Sequence, residues 1–113
     1  MAPPVLTLLP AAFEGGSQRG DACCLRPGEA AAARVYAQGS PLTFTVRGAS
    51  TGRVEVEVVL GEEALPRQQV PQTDSFELTY QAHPPRGEQA LRVSLPRSAS
   101  ADLCISEVAL KQP

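Results

Sequence analysis

The sequence predicts an all-β domain: a two-sheet antiparallel β-sandwich, or jelly roll, of about eight strands. Three observations carry that expectation. Apolar and polar residues alternate with a period of two in several segments, as when Leu42, Phe44 and Val46 interleave with Thr43, Thr45 and Arg47. Eleven prolines and nine glycines interrupt the chain every few residues and leave little room for a long helix. Turn signals recur at intervals of about eight to twelve residues, the spacing of short strands in a sandwich.

Size and charge narrow the classes further. At 113 residues the chain suits one domain, residues 1–113, with a single core. Charged residues are 19% of the chain and the net charge is -2, so there is no basic footprint for nucleic acid. No apolar run approaches the roughly 20 residues that cross a bilayer. Met1-Ala2-Pro3-Pro4 lacks the basic start and apolar middle of a secretion signal, so any such signal is expected elsewhere. Nine of the ten basic side chains are arginine, Lys111 being the lysine, and we read this as coding bias from a GC-rich bacterium.

The elements follow in order. Val5 to Leu9 is a short apolar run ended by Pro10 and suits a strand near a sheet edge. Residues 11–21, with Phe13, Glu14 and three glycines, read as a loop, and Ala22 to Leu25 as a brief apolar strand. Arg26-Pro27-Gly28-Glu29 has the proline-glycine order of a type II turn. Ala30 to Gln38 combines alanine-rich helix propensity with Val35 and Tyr36; bounded by Pro27 and Gly39 it is too short for a stable isolated helix, and we assign a strand. Leu42–Val46 and Val54–Val58 alternate on either side of Gly48-Ala49-Ser50-Thr51-Gly52 and are expected to form an antiparallel hairpin.

Gly61-Glu62-Glu63 is a polar turn, and residues 64–70 form a strand interrupted at Pro66. Ser75–Tyr80 alternates with Phe76, Leu78 and Tyr80 inward, and Ala90–Leu95 with Leu91, Val93 and Leu95 inward; between them His83-Pro84-Pro85-Arg86-Gly87 is a loop. The last strand, residues 102–111, changes phase: Leu103 and Ile105 share one parity, Val108 and Leu110 the other. That predicts a β-bulge near Ser106-Glu107, or burial on both sides.

The three cysteines are Cys23, Cys24 and Cys104. Adjacent cysteines rarely bond each other, so the feasible bridge joins Cys104 to Cys23 or Cys24, with Cys24–Cys104 taken as the candidate pair. The alternative is three small buried side chains in a reduced protein. The sole histidine, His83, has no second ligand at a familiar metal-site spacing.

The succession Gly39-Ser40-Pro41-Leu42-Thr43-Phe44, Gly52-Arg53-Val54-Glu55-Val56, Phe76-Glu77-Leu78-Thr79-Tyr80, Gly87-Glu88-Gln89-Ala90-Leu91-Arg92-Val93 and Asp102-Leu103-Cys104-Ile105-Ser106-Glu107-Val108-Ala109-Leu110 resembles the galactose-binding-like jelly rolls. More narrowly, it resembles the non-catalytic carbohydrate-binding modules attached to xylanases and related polysaccharide hydrolases. The resemblance spans roughly residues 38 to 111. It implies a secreted, extracellular module that binds a polysaccharide or oligosaccharide beside a linked catalytic domain. It also implies calcium, because xylan-binding relatives carry acidic and amide residues just before the final strand, where Asp102 is the matching position. Three positions depart from that pattern: Ser100 replaces the companion acid two residues earlier, Ser106 replaces the aspartate inside the last strand, and the first strand has an apolar residue in place of a glutamate.

Sugar recognition by stacking needs exposed aromatic rings, yet the chain has no Trp, and Phe44, Phe76 and Tyr80 fall on the inward face. Tyr36 and Phe13 remain as platforms, each with packing as its plainer role. A loop site built from Asp102 and Ser100, joined by Glu14 and Asp21 if the first loop folds beside the last, would suit a hard cation that binds sugar hydroxyls. The plainer role of Asp102 is to cap a turn. Glu55, Glu57, Glu77, Arg47 and Arg92 belong to solvated sheet faces where opposite charges pair across strands. No pair of carboxylates facing across a cleft is legible, nor a Ser-His-Asp set. The expectation is therefore a non-enzymatic carbohydrate-binding module directed at a xylan-like glycan, with a protein-protein interaction domain of the same fold as the alternative.

Overall fold

The computed structural model describes residues 5–111 and contains eleven strands: β1 (Val5–Leu8), β2 (Ser17–Arg19), β3 (Ala22–Leu25), β4 (Ala30–Ala37), β5 (Leu42–Ser50), β6 (Val54–Leu60), β7 (Glu63–Ala64), β8 (Gln68–Val70), β9 (Thr73–Ala82), β10 (Gly87–Ser94) and β11 (Leu103–Lys111). All strand pairs are antiparallel. One sheet runs β2-β3-β11-β5-β9, with β1 also on β11; the other runs β4-β10-β6-β7, with β8 also on β6. Their inward residues make one core, in which Leu42, Phe44 and Val46 meet Val56, Val58, Leu91 and Val93. Phe44 and Tyr80 are register partners and stack with ring centroids 5.2 Å apart.

The alternation read from the sequence holds at every long strand, but it does not choose partners. Leu42–Val46 and Val54–Val58 do not form a hairpin. β5 lies between β11 and β9, β6 lies in the opposite sheet beside β10, and the segment between them crosses the sandwich. A period of two requires only an inward face, and two strands facing each other across a core satisfy it as well as two strands side by side. The crossing is held locally. Thr51 N–H donates to the Asp102 carbonyl at 3.1 Å, Asp102 N–H donates to Thr51 Oγ1 at 2.9 Å, and buried Ser50 Oγ donates to the Gly52 carbonyl. These bonds tie the end of β5 to the start of β11 and send the chain to the other layer.

Two further differences raise the strand number. The expected loop over residues 11–21 contains a short 3-10 turn at Pro10–Ala12 and the small strand β2, which pairs with β3. The interrupted 64–70 segment is two strands, β7 and β8, that pair with the two halves of β6 on either side of Pro66. The Pro27-Gly28 turn takes type II form, with Gly28 at φ 85° and Glu29 N–H donating to the Arg26 carbonyl at 2.9 Å.

β11 slips register between Ile105 and Glu107. The extra residue, Ser106, lets Leu103 and Ile105 face the core before it and Val108 and Leu110 after it, all four buried. Opposite the slip stands Gly48, paired with Ile105 and Phe76 inside β5 rather than in a loop. A Cβ on Gly48 would overlap the carbonyl oxygen of Cys104. Glycine here is dictated by close approach of two backbones, not by a turn. Gly48→Ala is therefore expected to lower stability by about 3 kcal/mol, seen as a lower urea midpoint at unchanged slope.

The hydroxyl of Tyr80 is buried and finds no hydrogen-bond partner. Burial pushes the phenol from 10.0 up to about 12. In the unfolded chain the proton leaves near pH 10, while in the fold it stays on to about pH 12, so ionisation between those values favours unfolding. Stability from this group is full below pH 10 and declines as pH rises through 12. Tyr80→Phe should raise stability at neutral pH by about 1 kcal/mol, because no bond is lost and a desolvated hydroxyl is removed. It should also abolish the alkaline decline in a series of denaturant titrations.

Candidate functional site

The sandwich has two loop ends, and the residues singled out from the sequence are divided between them and its flanks. Asp102 and Ser100 share the segment between β10 and β11, beside the crossing at Thr51. A shallow depression of about 220 Å³ there is bordered by Ser98, Ser100, Arg53 and Gln69. Within it Arg53 Nη2 donates to Gln69 Oε1 at 2.6 Å, and beside it Thr51 engages both backbone groups of Asp102.

Glu14 and Asp21 do not join them. Leu103 pairs with Leu25 and Ile105 with Cys23, so β3 runs away from Asp102 and carries Asp21, in the β2–β3 turn, to the flank beside Ser106. Glu14 forms a backbone bridge with Ala32 and borders a small depression with Arg34 and Ala90. Among the described residues no three His, Cys, Asp or Glu side chains come together as a metal-holding group. A calcium site at Asp102 completed by the first loop is thus not what the chain builds. One carboxylate and a serine hydroxyl are too few for a cation that takes about six to eight oxygen ligands.

Tyr36 lies on the outer face of β4, 57% exposed, in register with Glu88 and two residues from Arg34, whose Nη1 donates to Glu88 Oε1 at 2.9 Å. It is a surface ring at the sheet edge and no part of the core. Phe13 is buried at 5% exposure, so it packs and does not serve as a platform. The outward charges pair across strands: Arg47, central on its sheet, reaches Glu77 on β9 at 3.3 Å and Glu107 on β11 at 3.5 Å. Both carboxylates hold its guanidinium more firmly protonated, Glu77 the more.

Cys24 and Cys104 are register partners and are bonded, closing 80 residues of sequence separation; Cys23 is a buried free thiol. Burial raises the Cys23 thiol above its ordinary value, with Glu29 adding to the effect. The bond fastens β3 to β11 and, on a loop-closure view, contributes about 4 kcal/mol by restricting the unfolded chain.

A larger cavity lies at the other loop end, where the sequence suggests only turns. There β6 ends at Leu60, the Gly61-Glu62 turn leads to β7, and the loop 83–86 joins β9 to β10. Gly61, at φ 63°, donates its N–H to the Ala90 carbonyl at 2.9 Å and fastens the turn to β10. Glu63 Oε1 accepts the N–H of His83 at 2.8 Å, which links the last strand of one sheet to the loop leaving the other. Gln89 Nε2 donates to the Pro85 carbonyl at 3.1 Å and holds that loop down. The result is a cleft of about 630 Å³ with Leu60 and Pro84 buried at its floor and Glu62, Glu63, His83, Pro85 and Gln89 around its mouth.

His83, Glu62, Glu63 and Gln89 were not candidates on sequence grounds. Their one signal is a lone histidine in a proline-rich loop, and nothing in the sequence says that this loop meets the Gly61 turn. That meeting follows from β6 and β9 lying in opposite sheets, the arrangement that the hairpin expectation concealed.

No family model matches the sequence, and no curated protein matches it. Solved structures do. The CBM36-1 domain of a multidomain xylanase from the hindgut metagenome of Trinervitermes trinervoides superposes with a TM-score of 0.79 at 15% identity, covering 97% of this chain and 98% of that one. A carbohydrate-binding module CBM36, solved in complex with calcium and xylotriose, gives 0.75 at 17% identity over 91% of this chain and 97% of that one. The insecticidal delta-endotoxin Cry8Ea1 from Bacillus thuringiensis also matches, with a TM-score of 0.79 at 11% identity over 95% of this chain but 24% of its own. The chain thus shares the two-sheet antiparallel β-sandwich fold of these carbohydrate-binding modules.

Proposed function

We propose that this domain is a non-catalytic carbohydrate-binding module that holds a xylan-like polysaccharide and keeps an attached enzyme near it. The observation that carries the reading is the near end-to-end superposition on a single module: 97% of this chain against 98% of the xylanase's CBM36-1 domain. A sandwich whose interior is filled leaves recognition to its ends and faces, and the cleft at the His83 end is rimmed by carboxylates, an amide and an imidazole, groups that bond hydroxyls.

Catalysis is not part of the reading. Glu62 and Glu63 come from one lip of the cleft, and Glu63 already accepts the His83 N–H. Glycoside hydrolysis takes two carboxylates on opposite sides of the scissile bond. The reading does not draw on calcium, because among the described residues no three carboxylate, histidine or cysteine side chains gather about Asp102. An extracellular setting agrees with the Cys24–Cys104 bond, because disulfides persist in oxidising compartments.

A second reading, a protein-interaction domain, is favoured by one feature. Leu6 and Leu9, 52% and 61% exposed, stand along and just beyond the edge strand β1.

Affinity electrophoresis through gels containing xylan, mannan or mixed-linkage β-glucan separates the two. The module reading expects retardation by at least one of these, unchanged when a chelator is added, with no reducing sugar released on long incubation. Free migration through every gel would leave the interaction domain standing.

A further inference from the structure

We infer that the glycan lies in the cleft at the His83 end, not at the Asp102 end, and that the chain it takes is neutral and rich in hydroxyl groups. This rests on the carbohydrate-binding reading and adds the place and the chemistry of the ligand.

Four features of the cleft point there. Its volume, about 630 Å³, falls in the range of small-molecule sites and lies in one cleft, whereas the Asp102 end has two separate depressions of about 220 and 480 Å³ on either side of Arg53 and Gln69. Its walls are fixed before any ligand arrives: Gly61 is bonded to Ala90, His83 to Glu63, and Gln89 to Pro85, so little ordering is left to binding. Its apolar surface is the exposed Pro85 ring at the rim, backed by buried Leu60 and Pro84, against which the C–H face of a pyranose packs. Its mouth retains acceptors. Glu62 accepts no hydrogen bond from the described residues, Glu63 uses one oxygen on His83, and Gln89 uses its nitrogen and keeps its oxygen.

The balance of donors and acceptors then selects the ligand. Two carboxylates and an amide oxygen ask for donors, which neighbouring sugar hydroxyls provide as charge-assisted bonds. No lysine or arginine lines the cleft. A uronic acid would bring its carboxylate beside Glu62 and Glu63 with no cation to meet it, so acidic glycans are disfavoured. At the Asp102 end the arginine is already bonded to Gln69, and the backbone groups of Asp102 are already bonded to Thr51.

The sole histidine makes the test direct, because its ring protons give one set of resonances without prior assignment. The intact domain is titrated with a neutral xylo- or gluco-oligosaccharide while the His83 signals are followed by proton NMR. In parallel, affinity electrophoresis on the matching polysaccharide compares the wild type with Glu62→Gln, His83→Ala and Asp102→Asn, and a polygalacturonate gel serves as the acidic glycan. The expected result is a saturable shift of the His83 resonances, at least tenfold weaker binding for Glu62→Gln and His83→Ala, unchanged binding for Asp102→Asn, and no retardation by polygalacturonate. Glu62 and His83 are exposed, so both variants should keep the wild-type melting temperature.

A wild type that binds neutral glycan while the His83 signals stay fixed overturns the inference and leaves the carbohydrate-binding reading intact. So does binding lost in Asp102→Asn alone, or polygalacturonate bound as well as neutral xylan. A wild type that binds no glycan overturns both.

Discussion

The position of β11 governs the rest of the molecule. It is hydrogen-bonded along both edges, to β5 on one side and to β3 and β1 on the other, and it must keep apolar side chains inward along its whole length. A strict two-residue alternation would turn either Leu103 and Ile105 or Val108 and Leu110 out to solvent. The slip at Ser106 resolves that conflict and requires the partner backbone at Gly48 to come close. With β11 fixed, the disulfide at Cys104 places β3, and the Thr51–Asp102 bonds place the crossing to the second sheet.

The faces of the strands were legible in the sequence because burial imposes the period directly. Phe76, Leu78 and Tyr80, or Leu91, Val93 and Leu95, could hardly point elsewhere without placing apolar surface in water. The bulge was legible for the same reason, as a change of parity with no turn residue to explain it. Strand partners were not. β5 and β6 look like a hairpin because both alternate about a Gly-Ala-Ser-Thr-Gly segment; what sends β6 to the other sheet is a set of backbone and hydroxyl bonds to Asp102, some fifty residues further along. No local pattern encodes a bond of that span.

The site inherits this difficulty. Asp102 and Ser100 stood out because they sit where a resemblance places ligands, and Tyr36 because an exposed ring is the usual means of holding a sugar. The structure separates them, with Tyr36 on a sheet face and Asp102 at one loop end. The cleft instead joins Leu60 to Glu63 with His83 to Gln89, two segments whose meeting depends on which sheet each neighbouring strand occupies. A residue such as Glu62, in a turn of ordinary surface composition, acquires meaning only after that assignment.

The absence of tryptophan bears on how such a domain could hold a polysaccharide at all. A stacked indole covers one whole sugar face, whereas the exposed Pro85 ring of the cleft offers a smaller apolar patch and leaves more of the binding energy to hydrogen bonds. Hydrogen bonds to hydroxyls exchange against water and give modest net energy, about 0.5 to 1.5 kcal/mol each, and more where the acceptor is charged. Weak attachment at each contact is sufficient for a module whose ligand is a polymer. Repeated sites along the glycan keep the local concentration high, and a second module or an enzyme on the same chain multiplies the retention without any tighter contact. A cleft that is open at its mouth, acidic and fixed in shape is consistent with that mode: it selects a neutral strand by charge and hydroxyl geometry and lets it go readily.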